Sequence, residues 1–245
     1  MNEKPSEIIP LGGFAIHSTT GEQLSRQLRE NMAHQQTTLL FANTNFIVKC
    51  QSFKHELTNS NTVIVNDGIG MDIATFLIHR KKFRENLNGT DFTPFFLKEL
   101  GDQAKVFLLG AKPGIAKRAA EFLESQNIRV AGYRNGYDEA RDTQQLIADI
   151  NASGATVVLV AMGNPYQEQW IIQHREQLQA RTLMGVGALL DFLAGDKPRA
   201  PKIFQRLRLE WFYRLCLEPS RLIRRYTLDI AVFLRLCLRQ GKSLQ

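Results

Sequence analysis

The chain has 245 residues, with 31 Lys+Arg against 24 Asp+Glu and 44% hydrophobic content, enough to bury a full core, and reads without repeats, charge blocks or low-complexity tracts. Cys50, Cys216 and Cys237 are odd in number and widely spaced, which excludes a disulfide framework or a CxxC metal site and reads as reduced thiols. The polar start Met1-Asn2-Glu3-Lys4 and the lack of any apolar stretch near ~18 residues exclude export and membrane crossing as expectations.

In chain order, amphipathic and short apolar segments alternate. Helical patterns are expected over 21–34, 46–57, 70–79, 92–100, 114–126, 138–152 and 165–178. Between them, strands are expected over 37–42 (TTLLFA), 62–65, 105–109 (KVFLL), 128–132, 156–161 (TVVLVA) and 181–186. Their near-continuous apolar character implies burial on both faces. This alternation predicts an α/β fold, a Rossmann-like, mostly parallel sheet with flanking helices. Ligands in such sheets sit beyond the carboxyl ends of the strands, so chemistry is sought in the loops that follow them.

Those loops are rich in small and polar residues: Asn43-Thr44-Asn45, Asn66-Asp67-Gly68, Gly110-Ala111-Lys112-Pro113-Gly114, Gly163-Asn164-Pro165-Tyr166-Gln167-Glu168 and Gly187-Ala188. Small residues let backbone approach a ligand, and helix starts attract phosphate, so a nucleotide is expected. Which nucleotide stays open. The segment 110–114 is no Walker loop, and Gly185-Val186-Gly187 lacks the third glycine that an NAD-dependent oxidoreductase would need. Each residue also has a bland reading. Asp67 fits an N-cap, Asn164-Pro165 an ordinary helix entry with proline at the first helical position, and Glu168 a helix-dipole partner. Asn43 and Asn45 fit turn formers, and the five scattered histidines fit structural or solvated roles.

The final segment differs in charge. Residues 197–245 hold 12 of the basic residues and 3 of the acidic ones, a net of +9 against −2 for residues 1–196. The chain is therefore expected to divide into an α/β body, 1–196, and a basic helical appendage, 197–245. Phe204, Leu207, Trp211 and Leu215 recur at helical spacing, Pro219 interrupts, and Leu222, Tyr226, Ile230, Phe233 and Cys237 continue as a stripe. Arg199, Arg206, Arg214, Arg221, Arg224 and Arg225 accompany them as candidate contacts for phosphate or membrane. An in-plane membrane helix is favoured over helices packed on the sheet with arginines outward. Nucleic acid is not expected, since no helix-turn-helix, RNA-binding aromatic signature or zinc module is present.

Nine segments in one order, NTNF (43–46), VNDGIGMD (65–72), NGTD (88–91), FLLGAKP (107–113), GNPYQEQW (163–170), GVGALLDFLAG (185–195), KPRAPK (197–202), LEWFYRL (209–215) and EPSRLIRR (218–225), resemble the WecG/TagA/CpsF glycosyltransferases. The resemblance spans about residues 37–240. It implies an inverting bacterial enzyme acting on undecaprenyl-diphosphate-linked sugars at the inner leaflet of the plasma membrane. It also implies Asp67 as general base, Gly163, Pro165, Gln167 and Glu168 near the donor nucleotide, and Arg214, Arg221 and Arg224 completing the site. Gly110, Asn164 and Gly187 join the nucleotide set, and Asn43, Asn45, Asn86, Gly89 and Asp91 the sugar set. Relatives often have Thr where this chain has Asn43. Relatives transferring amino sugars, acidic N-acetylmannosaminuronic acid included, tend to carry Arg where this chain has Asn86, which suits a neutral sugar.

The wording of NTNF, VNDGIGMD and GVGALLDFLAG resembles most the glucosyl branch of xanthan assembly, implying UDP-glucose as donor and glucosyl-diphospho-undecaprenol as acceptor. Transfer of N-acetylmannosamine or N-acetylmannosaminuronic acid is the alternative. With no DxD pair after a strand, transfer is expected to need no metal or other cofactor. Oligomeric state stays open.

Overall fold

The sheet dictates where everything else can sit. In the computed structural model, which describes residues 6–58, 61–137, 139–140, 142–206 and 209–243, eight strands form one sheet in the order β1-β2-β4-β3-β8-β7-β5-β6. The strands are β1 (Glu7–Leu11), β2 (Phe14–Ser18), β3 (Thr37–Ala42), β4 (Thr62–Asn66), β5 (Lys105–Gly110), β6 (Arg129–Arg134), β7 (Val157–Ala161) and β8 (Thr182–Gly185). All neighbours run parallel except β1 and β2.

The helices are α1 (Gly21–Met32), α2 (Thr44–Lys49), α3 (Lys54–Leu57), α4 (Ile69–His79), α5 (Gly89–Leu100) and α6 (Ile115–Ser125), then α7 (Thr143–Ala152), α8 (Tyr166–His174), α9 (Leu189–Leu193), α10 (Lys202–Arg206), α11 (Glu210–Leu217) and α12 (Pro219–Ser243). Period-two alternation sorts the central strands between two cores. Leu40, Ala42, Ile64, Leu109, Val158 and Leu183 face α2, α4, α7 and α8; Leu39, Phe41, Val65, Leu108, Leu159 and Met184 face α1, α5, α6 and α9. Both faces being covered explains why the strands read as unbroken apolar runs.

Three features depart from the expected elements. The N-terminal hairpin β1–β2 lies ahead of the first expected element, although Gly12-Gly13 between apolar-rich flanks is a hairpin signal; both glycines have positive φ, 60° and 89°, as a two-residue turn demands. The helix expected over 46–57 breaks into α2, a 3-10 turn at Gln51–Phe53 and α3. Gln51 Nε2 donates to Gly12 O at 2.7 Å there, while Phe46, Ile47, Cys50, Phe53 and Leu57 all stay buried. The helix expected from 138 starts at Thr143, where the Asp142 carboxylate accepts from Gln145 N at 3.0 Å; Asp138 itself lies outside the described residues.

The basic appendage is divided as its sequence suggests, with α11 ending at Leu217 and α12 starting at Pro219. Leu207 lies outside the described residues. Contrary to a helix lying only on a membrane, α12 packs on α2 and α4, and its Phe233 and Cys237 are buried in the same core as Phe46 and Ile47. Burial pushes the Cys237 thiol up to about 12, with the Gly12 backbone opposing, so this cysteine packs as an apolar group. No helix among the described residues is long and apolar enough to cross a membrane.

Candidate active site

The sheet changes winding direction around β3 and β8, and over the carboxyl ends of β4, β3, β8 and β7 lies a cavity of about 470 Å³. Its wall brings together Asn43, Asn45, Asp67, Gly89, Gly163, Asn164, Gln167 and Gly187, which were singled out in the sequence. No histidine is among the described lining residues.

Asp67 stands immediately beyond β4, and its N–H donates to Ala42 O at 2.8 Å, fixing the loop to β3. It is not an N-cap: Gly68 holds that position of α4, with no side-chain capping bond. The carboxylate is left to face the cavity, where Asn43 Nδ2 donates to its Oδ2 at 3.3 Å. Asn43 Oδ1 also caps α2 by accepting from Phe46 N at 3.1 Å, the backbone role expected of a loop asparagine. Asn86 accepts from Gly68 N through Oδ1 at 2.6 Å, holding the loop that carries Asp67. Asn86 lines a neighbouring cavity shared with Thr20, Glu85 and Phe95 rather than the first.

The β7 and β8 loops are joined by one amide. Gln167 Oε1 accepts from Gly163 N at 3.1 Å and from Gly187 N at 3.0 Å, so these two N–H groups are occupied by the protein. Gln167 Nε2 then donates to Glu168 Oε1 at 2.7 Å, and Asn164 Nδ2 donates to the same oxygen at 2.6 Å. Asn45 Nδ2 reaches Asn164 Oδ1 at 3.3 Å, extending the chain to α2. Glu168 is 1% exposed, and burial raises its pKa above the ordinary glutamate value, against the lowering effect of the bonds from Gln167, its own backbone and Asn164. Pro165 precedes the first residue of α8 rather than opening the helix, and its peptide bond with Asn164 is cis.

Other candidates fall elsewhere. Gly110 ends β5 and is absent from the cavity wall; a Cβ there would lie 2.5 Å from Ala161 O, so close strand packing accounts for the glycine. Asp91 accepts from Asn88 Nδ2 at 2.8 Å and pairs with Arg199 Nη2 at 2.5 Å. Arg199 also lies 3.6 Å from Glu210, tying the starts of α5 and α11. The side chains of Arg206, Arg214, Arg221, Arg224 and Arg225 lie outside the described residues. Among the described residues, no group of three or more His, Cys, Asp or Glu gathers as a metal site.

Lys49 and Asp229, which carry no motif signal, also stand on the wall. Lys49 stands one turn after Asn45 on α2, a legible i, i+4 signal. Asp229 shares a face of α12 with Leu222, seven residues earlier, and both reach the cavity only through tertiary packing. The site thus offers a positioned carboxylate, amides suited to sugar hydroxyls and a cation suited to phosphate.

A doubly wound sheet with such a cavity over its switch point is the arrangement in which open α/β proteins bind their ligands. The model of the glycosyl transferase WecG/TagA/CpsF family matches residues 9–245, and the chain belongs to that family. It is 32% identical over 232 residues, 90% of this chain and 89% of the other, to an N-acetylglucosaminyldiphosphoundecaprenol N-acetyl-beta-D-mannosaminyltransferase of Staphylococcus aureus (strain MRSA252).

Proposed function

We propose that this glycosyltransferase moves N-acetylmannosamine from its UDP donor to the sugar of an undecaprenyl-diphosphate-linked acceptor, N-acetylglucosaminyl-diphospho-undecaprenol, with inversion. The observation that carries the donor and acceptor is the identity with the staphylococcal enzyme across nine-tenths of the chain.

In this reading the acceptor hydroxyl oxygen attacks the anomeric carbon, and its proton passes to the Asp67 carboxylate. The carbon–oxygen bond to UDP breaks, and the electron pair leaves with the diphosphate. Lys49, at the end of α2 on the cavity wall, offsets the growing negative charge. Asn43 orients the base through its 3.3 Å bond, and Asn45 and Asn164 offer amides to sugar hydroxyls. Arg214, Arg221 and Arg224 meet the acceptor diphosphate at the inner face of the membrane, and no metal takes part.

The motif wording that resembles the glucosyl branch makes UDP-glucose the competing donor. Purified protein, given the lipid-linked acceptor with UDP-N-acetylmannosamine, its uronic acid form or UDP-glucose, is expected to favour the first by at least ~tenfold in kcat/KM. The product should carry a β linkage, and chelator should leave the rate unchanged. Preferential transfer of glucose would replace the donor assignment, and manganese-dependent rescue after chelation would remove the metal-free mechanism.

A further inference from the structure

The body carries an apolar face outside the appendage. On α4, Ile73, Phe76 and Leu77 are 51%, 44% and 53% exposed, while Met71, Ala74 and Thr75 are buried beneath them. The spacing i, i+3, i+4 places the three on one side of the helix. Beside it, α12 packs on α4 and leaves Leu228 and Val232, one turn apart, 62% and 45% exposed. Large apolar side chains left exposed on two helices that touch mark a surface used for contact.

The charge beside this face identifies the cover. Directly after α4 the chain reads Arg80-Lys81-Lys82-Phe83-Arg84, a basic cluster within a body of net negative charge, contrary to the expectation of no charge blocks. All four cations are exposed, and Phe83 is the buried anchor of the turn. Arg80 lies 5.9 Å from the Phe76 ring centroid, so charge and apolar face adjoin, while Lys81 is shared with Glu7 at 2.5 Å. Glu85, the nearest acid in sequence, accepts from Gly21 N at 2.7 Å.

We infer that the α4 face and its basic turn form a second lipid-contact surface, in which Ile73, Phe76 and Leu77 enter an anionic bilayer and Arg80, Lys82 and Arg84 lie among its headgroups. An apolar face bordered by cations is complementary to acyl chains beneath anionic phosphates, whereas a partner protein would need acidic groups around an apolar centre. The position also fits the site. α4 begins two residues after Asp67, and α12 supplies Leu222 and Asp229 to the cavity wall, so a bilayer on these helices lies beside the entrance for a lipid-linked diphosphate. That last point rests on the proposed function; the lipid contact does not.

The test is vesicle flotation of the full chain with phosphatidylcholine alone or mixed with phosphatidylglycerol. The Phe76→Glu/Leu77→Glu variant, changed only at exposed positions, is expected to lose at least ~tenfold in vesicle affinity, with an unchanged Tm. Its turnover with a short-chain, water-soluble diphosphate acceptor should match the parent. Arg80→Ser/Lys82→Ser should lose the preference for phosphatidylglycerol while keeping the weaker binding to neutral vesicles. Parent-like flotation of both variants would overturn the inference. So would a Phe76→Glu/Leu77→Glu variant that floats normally but dissociates to a smaller species by light scattering, which would assign the face to a second copy of the chain. If no lipid acceptor is glycosylated yet flotation depends on Phe76 and Leu77, the surface stands and the proposed activity falls.

Discussion

Glu168 organises the β7 and β8 loops at the cavity without lining it. Its Oε1 receives both Asn164 and Gln167, and Gln167 in turn clamps Gly163 and Gly187. Glu168→Ala would leave two amides without their acceptor, at a cost of about 2–3 kcal/mol by thermal or urea unfolding. Glu168→Gln retains an acceptor and removes the titration. Because burial raises the folded-state pKa, the folded chain holds a proton that the unfolded chain releases near pH ~4.3. Stability contributed by that proton is complete below this pH and declines as pH rises toward the raised value. The Tm of the parent should therefore fall relative to Glu168→Gln as pH increases through that window; parallel Tm curves would refute it. At Asp67, an Asn substitution should reduce kcat by ~10²–10⁴-fold with donor binding intact by calorimetry. Retained turnover would remove it as the base.

At the scale of elements, the site depends on how strand ends are packed. Gly110 has φ 126° and its Cα sits against Ala161 O, so a side chain at this last position of β5 would displace β7. Gly110→Ala should cost about 2 kcal/mol or more, read as a lower urea midpoint, and should disturb donor binding indirectly through the β7 loop. The strands of the central sheet were legible because burial on both faces leaves unbroken apolar runs. The break after α2 was not, since no glycine or proline marks it; it is set by Gln51 reaching the N-terminal hairpin and by the need to bury both Cys50 and Phe53. The hairpin itself was legible in Gly12-Gly13. The N-cap reading of Asp67 fails because Gly68, with φ 93°, occupies the N-cap position of α4 in its place.

For the whole molecule, the decisive contact joins the two ends of the chain. Phe233 and Cys237 of α12 share a core with Phe14, Phe46 and Ile47, and the same helix presents Leu222 and Asp229 to the cavity. Phe233→Ala should destabilise by about 3 kcal/mol. Hydrogen exchange should then rise first in α12 and in the α2 amides beneath it, and uniform exchange across the sheet would show that α12 is not a separately opening unit.

Sequence by itself determined the parallel α/β architecture, the loops that hold Asn43, Asp67 and Gln167, and the basic, amphipathic character of the last fifth, because periodicity, strand-end position and charge are local properties of a chain. Only the tertiary structure decided that Lys49 and Asp229 share the cavity with Asp67, that Gly110 serves packing, and that α12 is anchored by Phe233 in the core. Those outcomes depend on which surfaces meet across distant segments, and a hydrophobic stripe is equally suited to a sheet or to a bilayer until its neighbour is in place.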